Sequence, residues 1–229
     1  MKHLVIDTSS ERSVLGLIEG NTLVHEDLLE FGLKSSESLL PTLAKILSTF
    51  SLKVSELDSI ILGTGPGSYT GMRVGAAIAQ SISYAKKIPL LTLSSLYAFS
   101  PKENGNFAVV IDAKVSGLYL ITGKKENNIV SFEGQASIIS YKDLSSKLPN
   151  STTLVSPNFR RIRPLIEKHS PNAKYTWEES APSTKSLHSF AKEYAIQKNT
   201  HSPIQLLYLR LTQAEIEKKQ ALTSSERKD

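Results

Sequence analysis

The stretch "LVIDTSSERSVLGLIEGNTLVHEDLLEFG" at residues 4–32 has the same order of features as "FAVVIDAKVSGLYLITGKKENNIVSFEG" at residues 107–134. Each begins with an apolar run that ends in Ile-Asp, continues through a short polar turn and two further apolar runs, and closes on glycine. The apolar runs are typical of β-strands, and Gly20-Asn21 indicates a hairpin turn. The sequence therefore predicts two similar halves, each starting with a three-stranded meander.

Helices mixed with short strands follow each meander. Helical spacing of apolar residues predicts a helix over 35–50, with Ser35 or Ser36 as its cap, and a buried strand at 59–65 precedes a helix over 70–87. In the second half we expect helices over 142–148, 159–169 and 184–198, a strand over 152–156 and an extended run over 203–210. This pattern predicts an α/β protein with a duplicated ribonuclease-H-like, actin-like ATPase (ASKHA) fold, whose two similar subdomains each place an acidic residue at a central cleft.

The polar segment "PKENGN" at residues 101–106 is the strongest candidate for a domain boundary. We expect a first subdomain over 1–101 and a second over 102–212, whose C-terminal segment can pack back on the first. Residues 213–229 are charged and are expected to form a tail.

The composition excludes several kinds of chemistry. The chain has no cysteine, which excludes disulfides, thiolate metal sites and a cysteine nucleophile and suits a reducing cytosol. No two of the five histidines have the spacing of a metal motif, so no metal site is expected. The N-terminus resembles neither a signal peptide nor a membrane span, and the expectation is a cytoplasmic protein with no membrane contact.

The positive charge is concentrated in the second half. Residues 1–101 carry 8 basic and 9 acidic side chains, whereas residues 102–229 carry 19 and 13. The basic stretch "NFRRIRPLIEKH" at residues 158–169 either contacts RNA phosphates or forms a solvated helix face. The scattered aromatic residues indicate no platform for stacking bases.

The glycine-rich stretch "LGTGPGSYTGMRVGAAIAQ" at residues 62–80 admits two interpretations. It lies between a strand and a helix, where backbone N–H groups and the helix dipole favour an anion, with Gly65, Gly67, Ser68 and Thr70 as candidate contacts. It has neither the G-K-[ST] of a P-loop nor the G-x-G-x-x-G of a dinucleotide fold, so close packing of the backbone is the alternative.

The helix after this loop carries two stripes of side chains. Gly71, Gly75, Ala79 and Ser83 form a ridge of small residues, and larger apolar residues at 74, 78 and 82 form a second stripe. The larger residues are expected to pack on the chain's own sheet, while the small ridge permits close approach of another helix. That helix is either the 35–50 helix or a helix of another molecule.

Asp7 and Asp112 are the only acidic pair with a structural argument. In the expected fold both border the cleft, where with Thr8 they could hold Mg²⁺ and a nucleotide. The turns "DTSS" and "DAKVS" lack the glycine that phosphate binding needs, and Asp7 could instead stabilise its own turn.

The segment "GTGPGSYTGMRVG" at residues 63–75 resembles the signature of the TsaB (YeaZ) family, bacterial tRNA threonylcarbamoyladenosine biosynthesis proteins. The stretches "IDTSS" at 6–10, "LLPTL" at 39–43, "IDAKVSGLY" at 111–119 and "YLR" at 208–210 are similar to that family in the same order. The resemblance covers essentially the whole chain. The sequence departs from the usual family residues at Ser35, Lys114 and Gly117.

The resemblance implies a scaffold with the actin-like fold, no catalytic residue and no cofactor of its own. Such proteins form homodimers and also pair with the catalytic paralogue TsaD, which an ATPase, TsaE, joins; tRNA is reached through this complex or weakly through the basic second half. The implied partner interface uses the 35–50 and 71–86 helices, with Leu39, Leu43, Ile46, Gly71, Val74, Gly75, Ile78, Ala79 and Ile82.

Two rival functions follow from the same sequence. The first is a small ATP-dependent phosphotransferase or ATPase of the same fold that uses Asp7 and Asp112. The second is a peptidase, as old names for the superfamily suggest, although no metal triad or Ser/His/Asp set is visible.

Overall fold

In the described part of the chain, two β-sheets form the frame, one built mainly from each half. The computed structural model describes residues 1–29, 35–198 and 203–209. The predicted tail over 213–229 and Arg210 of the "YLR" segment lie outside the described residues. Only the backbone is described at Ser35 and Ser36, where the first helix begins.

The first sheet contains six strands in the order β11-β5-β4-β1-β2-β3. Its strands are β1 (Lys2–Asp7), β2 (Val14–Glu19), β3 (Thr22–Leu28), β4 (Ser59–Gly63), β5 (Leu90–Leu93) and β11 (Ile196–Lys198). The β2–β3 hairpin turns at the predicted glycine, Gly20, whose φ of 61° lies in the left-handed region that favours glycine. β1 pairs antiparallel with β2 and parallel with β4.

The second sheet contains five strands in the order β10-β9-β6-β7-β8. They are β6 (Gly105–Asp112), β7 (Leu118–Glu126), β8 (Ile129–Ile139), β9 (Thr153–Ser156) and β10 (Thr176–Glu179). β6 pairs antiparallel with β7 and parallel with β9, as β1 does with β2 and β4. The two halves therefore share one topology, and the predicted duplicated α/β fold is confirmed.

Among the described residues, five α-helices cover the sheets: α1 (Ser35–Thr49), α2 (Tyr69–Lys86), α3 (Leu144–Lys147), α4 (Ile162–His169) and α5 (Thr184–Tyr194). None of the described helices is both long and apolar enough to cross a bilayer. The helix predicted over 184–198 ends early, because Ala195 takes an extended backbone and the chain adds β11 to the edge of the first sheet. Strands of three or four residues, such as β11 and β10, are too short to show a period in the sequence.

The cores follow the alternation of residues along the strands. In β1, Leu4 and Ile6 pack under α1 and α2, whereas Val5 points to the opposite face. That opposite face meets the inner face of the second sheet, and α5 lies between them with Leu187 and Ala191 buried. Helices α3 and α4 cover the outer face of the second sheet.

Hydrogen bonds to the first half fix the position of α5. Glu26 of β3 accepts from the backbone N–H and the hydroxyl of Thr184 at 2.7 and 2.5 Å. The backbone N–H of Ser183 donates to the carbonyl of Ala98 at 2.9 Å. A carboxylate at a helix N-terminus also interacts favourably with the helix dipole, so α5 is tied to the first sheet although it follows the second in sequence.

A pair of histidines that could not be predicted from the sequence joins α5 to β1. The ring centroids of His3 and His188 lie 4.9 Å apart, and His3 Nδ1 is 2.8 Å from the Ser59 hydroxyl. Burial lowers the pKa of both rings from 6.5. The pKa of His3 is also raised by Asp58 and lowered by the N-terminal ammonium and Lys192, and that of His188 is lowered by His3 and Lys192. Both rings are therefore held neutral where α5 meets β1.

Stability is expected to fall in mild acid because of this pair. A histidine whose folded pKa is lowered stabilises the fold above about pH 6.5, and that contribution is lost as the pH falls below it toward the folded pKa. His188→Gln is therefore expected to show a smaller drop in Tm between about pH 8 and about pH 5.5 than the wild type. An equal drop in both proteins, measured by thermal unfolding, would contradict this assignment.

Candidate functional site

A cleft opens where β1 and β6 end, between the two halves. Its volume is about 470 Å³. The first half contributes residues 8–11 and 67–71, and the second contributes Ile111, Asp112, Lys114, Tyr119, residues 156–158, Arg161 and Ile162. Because β1 and β6 each run parallel to their neighbours β4 and β9, the carboxyl ends of these strands meet at the cleft, which is the usual ligand position in such sheets.

The glycines of the 63–75 loop allow α2 to press against the turn that follows β1. A Cβ added to Gly67 would overlap the carbonyl oxygen of Ser9, and one on Gly71 would overlap the carbonyl oxygen of Thr8. A Cβ on Gly75 would overlap the Thr8 hydroxyl. At Gly71 and Gly75 the small ridge therefore faces the chain's own β1 turn rather than a helix, while Ala79, further along the ridge, shares a core with α1, the 35–50 helix of the same chain.

Hydrogen bonds fix this contact between the loop and the turn. The Thr8 hydroxyl donates to the carbonyl of Gly71 at 2.6 Å, and the backbone N–H of Ser68 donates to the carbonyl of Ser9 at 2.6 Å. The Ser68 hydroxyl caps α2 by accepting from the Gly71 N–H at 3.2 Å. Of the candidate anion contacts, Thr8, Gly67, Ser68 and Thr70 line the cleft.

Gly65 does not line the cleft. It is buried, with a φ of 96°, and its N–H donates to the Ser95 hydroxyl at 2.8 Å. Its N–H group is therefore already used inside the protein, and the prediction that Gly65 contacts an anion is wrong. The glycine here serves a backbone conformation that other residues rarely adopt.

Asp7 lies behind the cleft rather than in it. The residue is 1% exposed, and its Oδ1 accepts from the Ser9 N–H at 2.8 Å. Its Oδ2 is packed beside Gly63 and the Ser95 hydroxyl and makes no hydrogen bond to any described residue. Burial raises the pKa of this carboxyl, an effect that the bond from Ser9 partly offsets. The prediction that Asp7 borders the cleft is therefore wrong, and Asp7 closes its own turn.

Asp7→Asn is expected to raise Tm at neutral pH. A carboxyl with a raised folded pKa favours the folded state below that pKa, and the contribution is lost as the pH rises through it. Above that pKa the wild type buries a charge, which the amide avoids while keeping an acceptor for Ser9. The gain, measured by thermal unfolding, should shrink as the pH is lowered; a loss of Tm at every pH would contradict this description.

Asp112 lines the cleft, but its carboxylate is already engaged. Its Oδ2 lies 2.8 Å from Arg161 and 3.2 Å from Lys114 Nζ, and its Oδ1 accepts from the Lys114 N–H at 2.7 Å. Arg161 was not predicted as a cleft residue, although its position shortly after β9, a parallel neighbour of β6, was a usable signal. Two cations on one carboxylate leave little affinity for Mg²⁺.

The described residues do not fit a metal centre. Within 1–29, 35–198 and 203–209, no three His, Cys, Asp or Glu side chains come together to hold a metal. Asp7 faces Gly63 while Asp112 faces Arg161, so the two carboxylates do not converge on one position. The pair therefore does not supply the oxygen ligands that a magnesium-nucleotide complex needs.

Several residues predicted for a partner interface belong to the chain's own core. Leu39, Leu43 and Ile46 of α1 are buried under the first sheet, and so are Gly75 and Ala79 of α2. These side chains are not available to a partner, and that part of the prediction is wrong. Gly71 is half-buried against the β1 turn, as described above.

The outward side of the same two helices remains open. On α2, Val74, Ile78 and Ile82 are half-buried and pack against the core of the first half, as predicted for the larger stripe, and Ala77 and Tyr84 beside them are exposed. No charged residue occurs from 74 to 85. On α1, Leu40 is 56% exposed and Ala44 is exposed. We call Leu40, Ala44, Ala77, Ile78 and Tyr84 the α1–α2 surface; exposed faces without charge are typical of protein interfaces.

Comparison with known proteins gives the chain its relatives. Residues 32–144 match the family model described as TsaD, tRNA N6-adenosine threonylcarbamoyltransferase. The tRNA threonylcarbamoyladenosine biosynthesis protein TsaB of Haemophilus influenzae is 31% identical over 122 residues, and that of Escherichia coli is 28% identical over 134 residues. The resemblance to the TsaB (YeaZ) family is confirmed.

The match to the TsaB family is partial in sequence and broad in structure. The alignment with the Haemophilus protein covers 51% of this chain and 51% of that protein. The alignment with the Escherichia protein covers 56% of this chain and 57% of that protein. The chain therefore spans about half the length of the curated relatives it matches. A Pseudomonas aeruginosa structure, described as similar to the peptidase YeaZ, has a TM-score of 0.72 at 18% identity and covers 90% of this chain and 99% of its own. A second structure, YeaZ from P. aeruginosa, has a TM-score of 0.68 at 20% identity and covers 84% of this chain and 92% of its own. Both structures support the fold alone.

Proposed function

We propose that this chain is a non-catalytic scaffold subunit in the synthesis of threonylcarbamoyladenosine on tRNA. In this role it dimerises with a TsaD-type catalytic protein and activates it for transfer of threonylcarbamoyl to N6 of the adenosine next to the anticodon. The observation that carries the proposal is the α1–α2 surface, whose α2 part has no charge from 74 to 85 although Tyr84 is 60% exposed. An uncharged helix face of this kind is suited to packing against a second helical face.

The cleft supports the scaffold role. Asp7 is buried behind it, and Asp112 is held by Arg161 and Lys114, so neither carboxylate is placed to bind a metal or to act on a substrate. The proposal therefore assigns the chain no catalytic residue and no cofactor. It assigns the chemistry to the TsaD-type partner and ATP hydrolysis to a TsaE-type ATPase.

The remaining parts of the proposal concern assembly and location. The same α1–α2 surface would pair two copies of the chain when the partner is absent, because a homodimer and a heterodimer of related folds can use one self-complementary face. The modification of tRNA places this assembly in the cytoplasm. The tRNA would be reached through the complex.

Reconstitution of the modification reaction tests this proposal. A TsaD-type and a TsaE-type protein from the same organism would be incubated with unmodified tRNA and a threonylcarbamoyl donor, with and without the chain. We expect modified tRNA only when the chain is present, and an unchanged yield with Asp112→Ala. Full yield without the chain would overturn the scaffold role, and loss of yield with Asp112→Ala would indicate chemistry in the cleft.

The size of the cleft favours one alternative, an ATP-dependent phosphotransferase. A volume of about 470 Å³ lies in the range of small-molecule sites. Titration of the chain with Mg-ATP separates the two functions: the scaffold role predicts no binding at about millimolar ATP, whereas binding that Asp112→Ala abolishes would favour the phosphotransferase.

A further inference from the structure

The surface around α4 in the second half carries acidic groups that are already engaged inside the protein. Asp143 accepts from the Ser140 hydroxyl at 2.7 Å, and Glu167 pairs with Arg163 at 2.8 Å. Glu179 accepts from the Phe159 N–H at 3.0 Å, and Asp112 holds Lys114 and Arg161. Glu167 and Asp112 are thus already paired with cations, whereas Asp143 and Glu179 accept hydrogen bonds from uncharged groups.

Three cations of the same surface remain unpaired. Lys142, Arg160 and Lys168 are exposed, and none forms an ion pair with any residue in the described ranges. They belong to the half of the chain, residues 102–229, that contains 19 basic and 13 acidic side chains. We call these three residues the α4 surface.

The ring of Tyr141 joins two segments that carry cations of the α4 surface. This ring stacks on His169 with centroids 6.4 Å apart, so the segment that contains Lys142 packs against the last turn of α4, which contains Lys168. Burial raises the pKa of Tyr141 to about 12, with smaller opposing effects from the charges of Asp112 and Arg161. Arg160 directly precedes Arg161. Arg160 lies just before α4 and Lys168 lies in its last turn, so these two cations flank the helix.

The aromatic rings of this region are not placed to stack on bases. The Arg163 guanidinium lies over Trp177, with its Cζ 5.0 Å from the centroid of the indole ring. The rings of Trp177 and Phe159 pack edge to face, with centroids 5.1 Å apart. Tyr141 is stacked on His169. A surface with free cations and covered rings is suited to the phosphate backbone of a folded RNA rather than to single-stranded bases.

We propose that the α4 surface binds the phosphate backbone of tRNA. This inference rests on the proposed function, since it assigns the direct tRNA contact of the scaffold subunit to Lys142, Arg160 and Lys168. Contacts between cations and phosphates release counterions, so the binding constant depends on salt in proportion to the number of contacts. Such contacts position the RNA without reading its sequence.

Binding of unmodified tRNA to the full chain, alone and mixed with the TsaD-type protein, tests the inference at several salt concentrations. The triple variant Lys142→Ala, Arg160→Ala, Lys168→Ala is compared with Lys53→Ala, Lys185→Ala, Lys192→Ala, which removes the same charge from three exposed lysines elsewhere. We expect the first variant to bind roughly tenfold or more weakly and its salt slope to fall by about 2–3. The control variant should keep the slope of the wild type.

The other outcomes overturn the inference. Equal affinities and salt slopes for the two triple variants would show that only the net charge of the chain matters. If the wild-type chain bound no tRNA, either alone or mixed with the TsaD-type protein, the α4 surface would be excluded as a tRNA site. Competition by polyglutamate as strong as that by tRNA would assign the surface to an acidic protein. Light scattering of the mixed complex separates this result from the proposed function, because the α4 variant leaves the α1–α2 surface intact.

Discussion

Replacing Ala77 by glutamate is expected to abolish the complex with a TsaD-type protein while leaving the fold of the chain unchanged. Ala77 is exposed at the middle of the uncharged face of α2, so the new side chain has room in the free protein. Alanine and glutamate both favour helices, and the intrinsic cost is therefore small. In the complex the carboxylate would be buried without a partner, which costs about 3 kcal/mol or more and raises Kd about a hundredfold or more.

A matched control keeps this prediction specific. Ser151→Glu adds the same charge at an exposed position of the second half, away from α1 and α2. Isothermal titration of both variants with the TsaD-type protein should show loss of binding for Ala77→Glu alone, and thermal unfolding should show similar Tm values for the two. Wild-type affinity in Ala77→Glu would exclude the α1–α2 surface as the partner interface.

Replacing Gly71 by alanine is expected to destabilise the fold by about 3 kcal/mol. The added methyl group would overlap the carbonyl oxygen of Thr8, a backbone atom that also precedes the hydrogen-bonded Ser9. The gain of about 1 kcal/mol in helix propensity does not offset this overlap. In a chain of this size the loss corresponds to a fall in Tm of roughly 6–12 °C.

A double-mutant cycle tells the two glycines apart. At Gly75 the obstacle is the Thr8 hydroxyl, so Thr8→Ala should reduce the cost of Gly75→Ala. At Gly71 the added methyl group would overlap the backbone carbonyl oxygen of Thr8, so Thr8→Ala should not reduce the cost of Gly71→Ala. Ser81→Ala on the exposed side of α2 serves as the control, with a change within about 0.5 kcal/mol. A Gly71→Ala variant of normal Tm with weakened partner binding would instead favour an interface along the small ridge.

The sequence was sufficient for the fold because the signal is repeated and local. The Ile-Asp ending of the first strand occurs at both Asp7 and Asp112, and the two meanders have the same spacing, so the duplication could be predicted without knowledge of tertiary contacts. The short edge strands β10 and β11 could not be predicted, since three or four residues show no period and their pairing depends on neighbours distant in the sequence.

The orientation of α2 could not be derived from its own residues. The helix carries a small ridge and a larger apolar stripe, and both are suited to burial. The turn after β1 decides between them, because the carbonyls of Thr8 and Ser9 leave no room for a Cβ at Gly71 and Gly67. The larger stripe is consequently left half-exposed, and Leu39, Leu43 and Ile46 of α1 are used for the core instead.

The pairing at the cleft was hidden for a similar reason. Arg161 is 49 residues from Asp112, and only the parallel contact of β6 with β9 brings them together. Asp7 and Asp112 occupy equivalent places in the repeat but different surroundings, since one is buried beside Gly63 and the other meets two cations. Equivalent positions in a duplicated fold therefore do not imply a shared function.

Size-exclusion chromatography with light scattering, on the chain alone and mixed with the TsaD-type protein of its own organism, tests the scaffold role most directly. We expect a homodimer that is replaced by a stable mixed complex, and we expect Ala77→Glu to prevent the mixed complex from forming. Two independent peaks for the wild-type proteins would contradict the scaffold role.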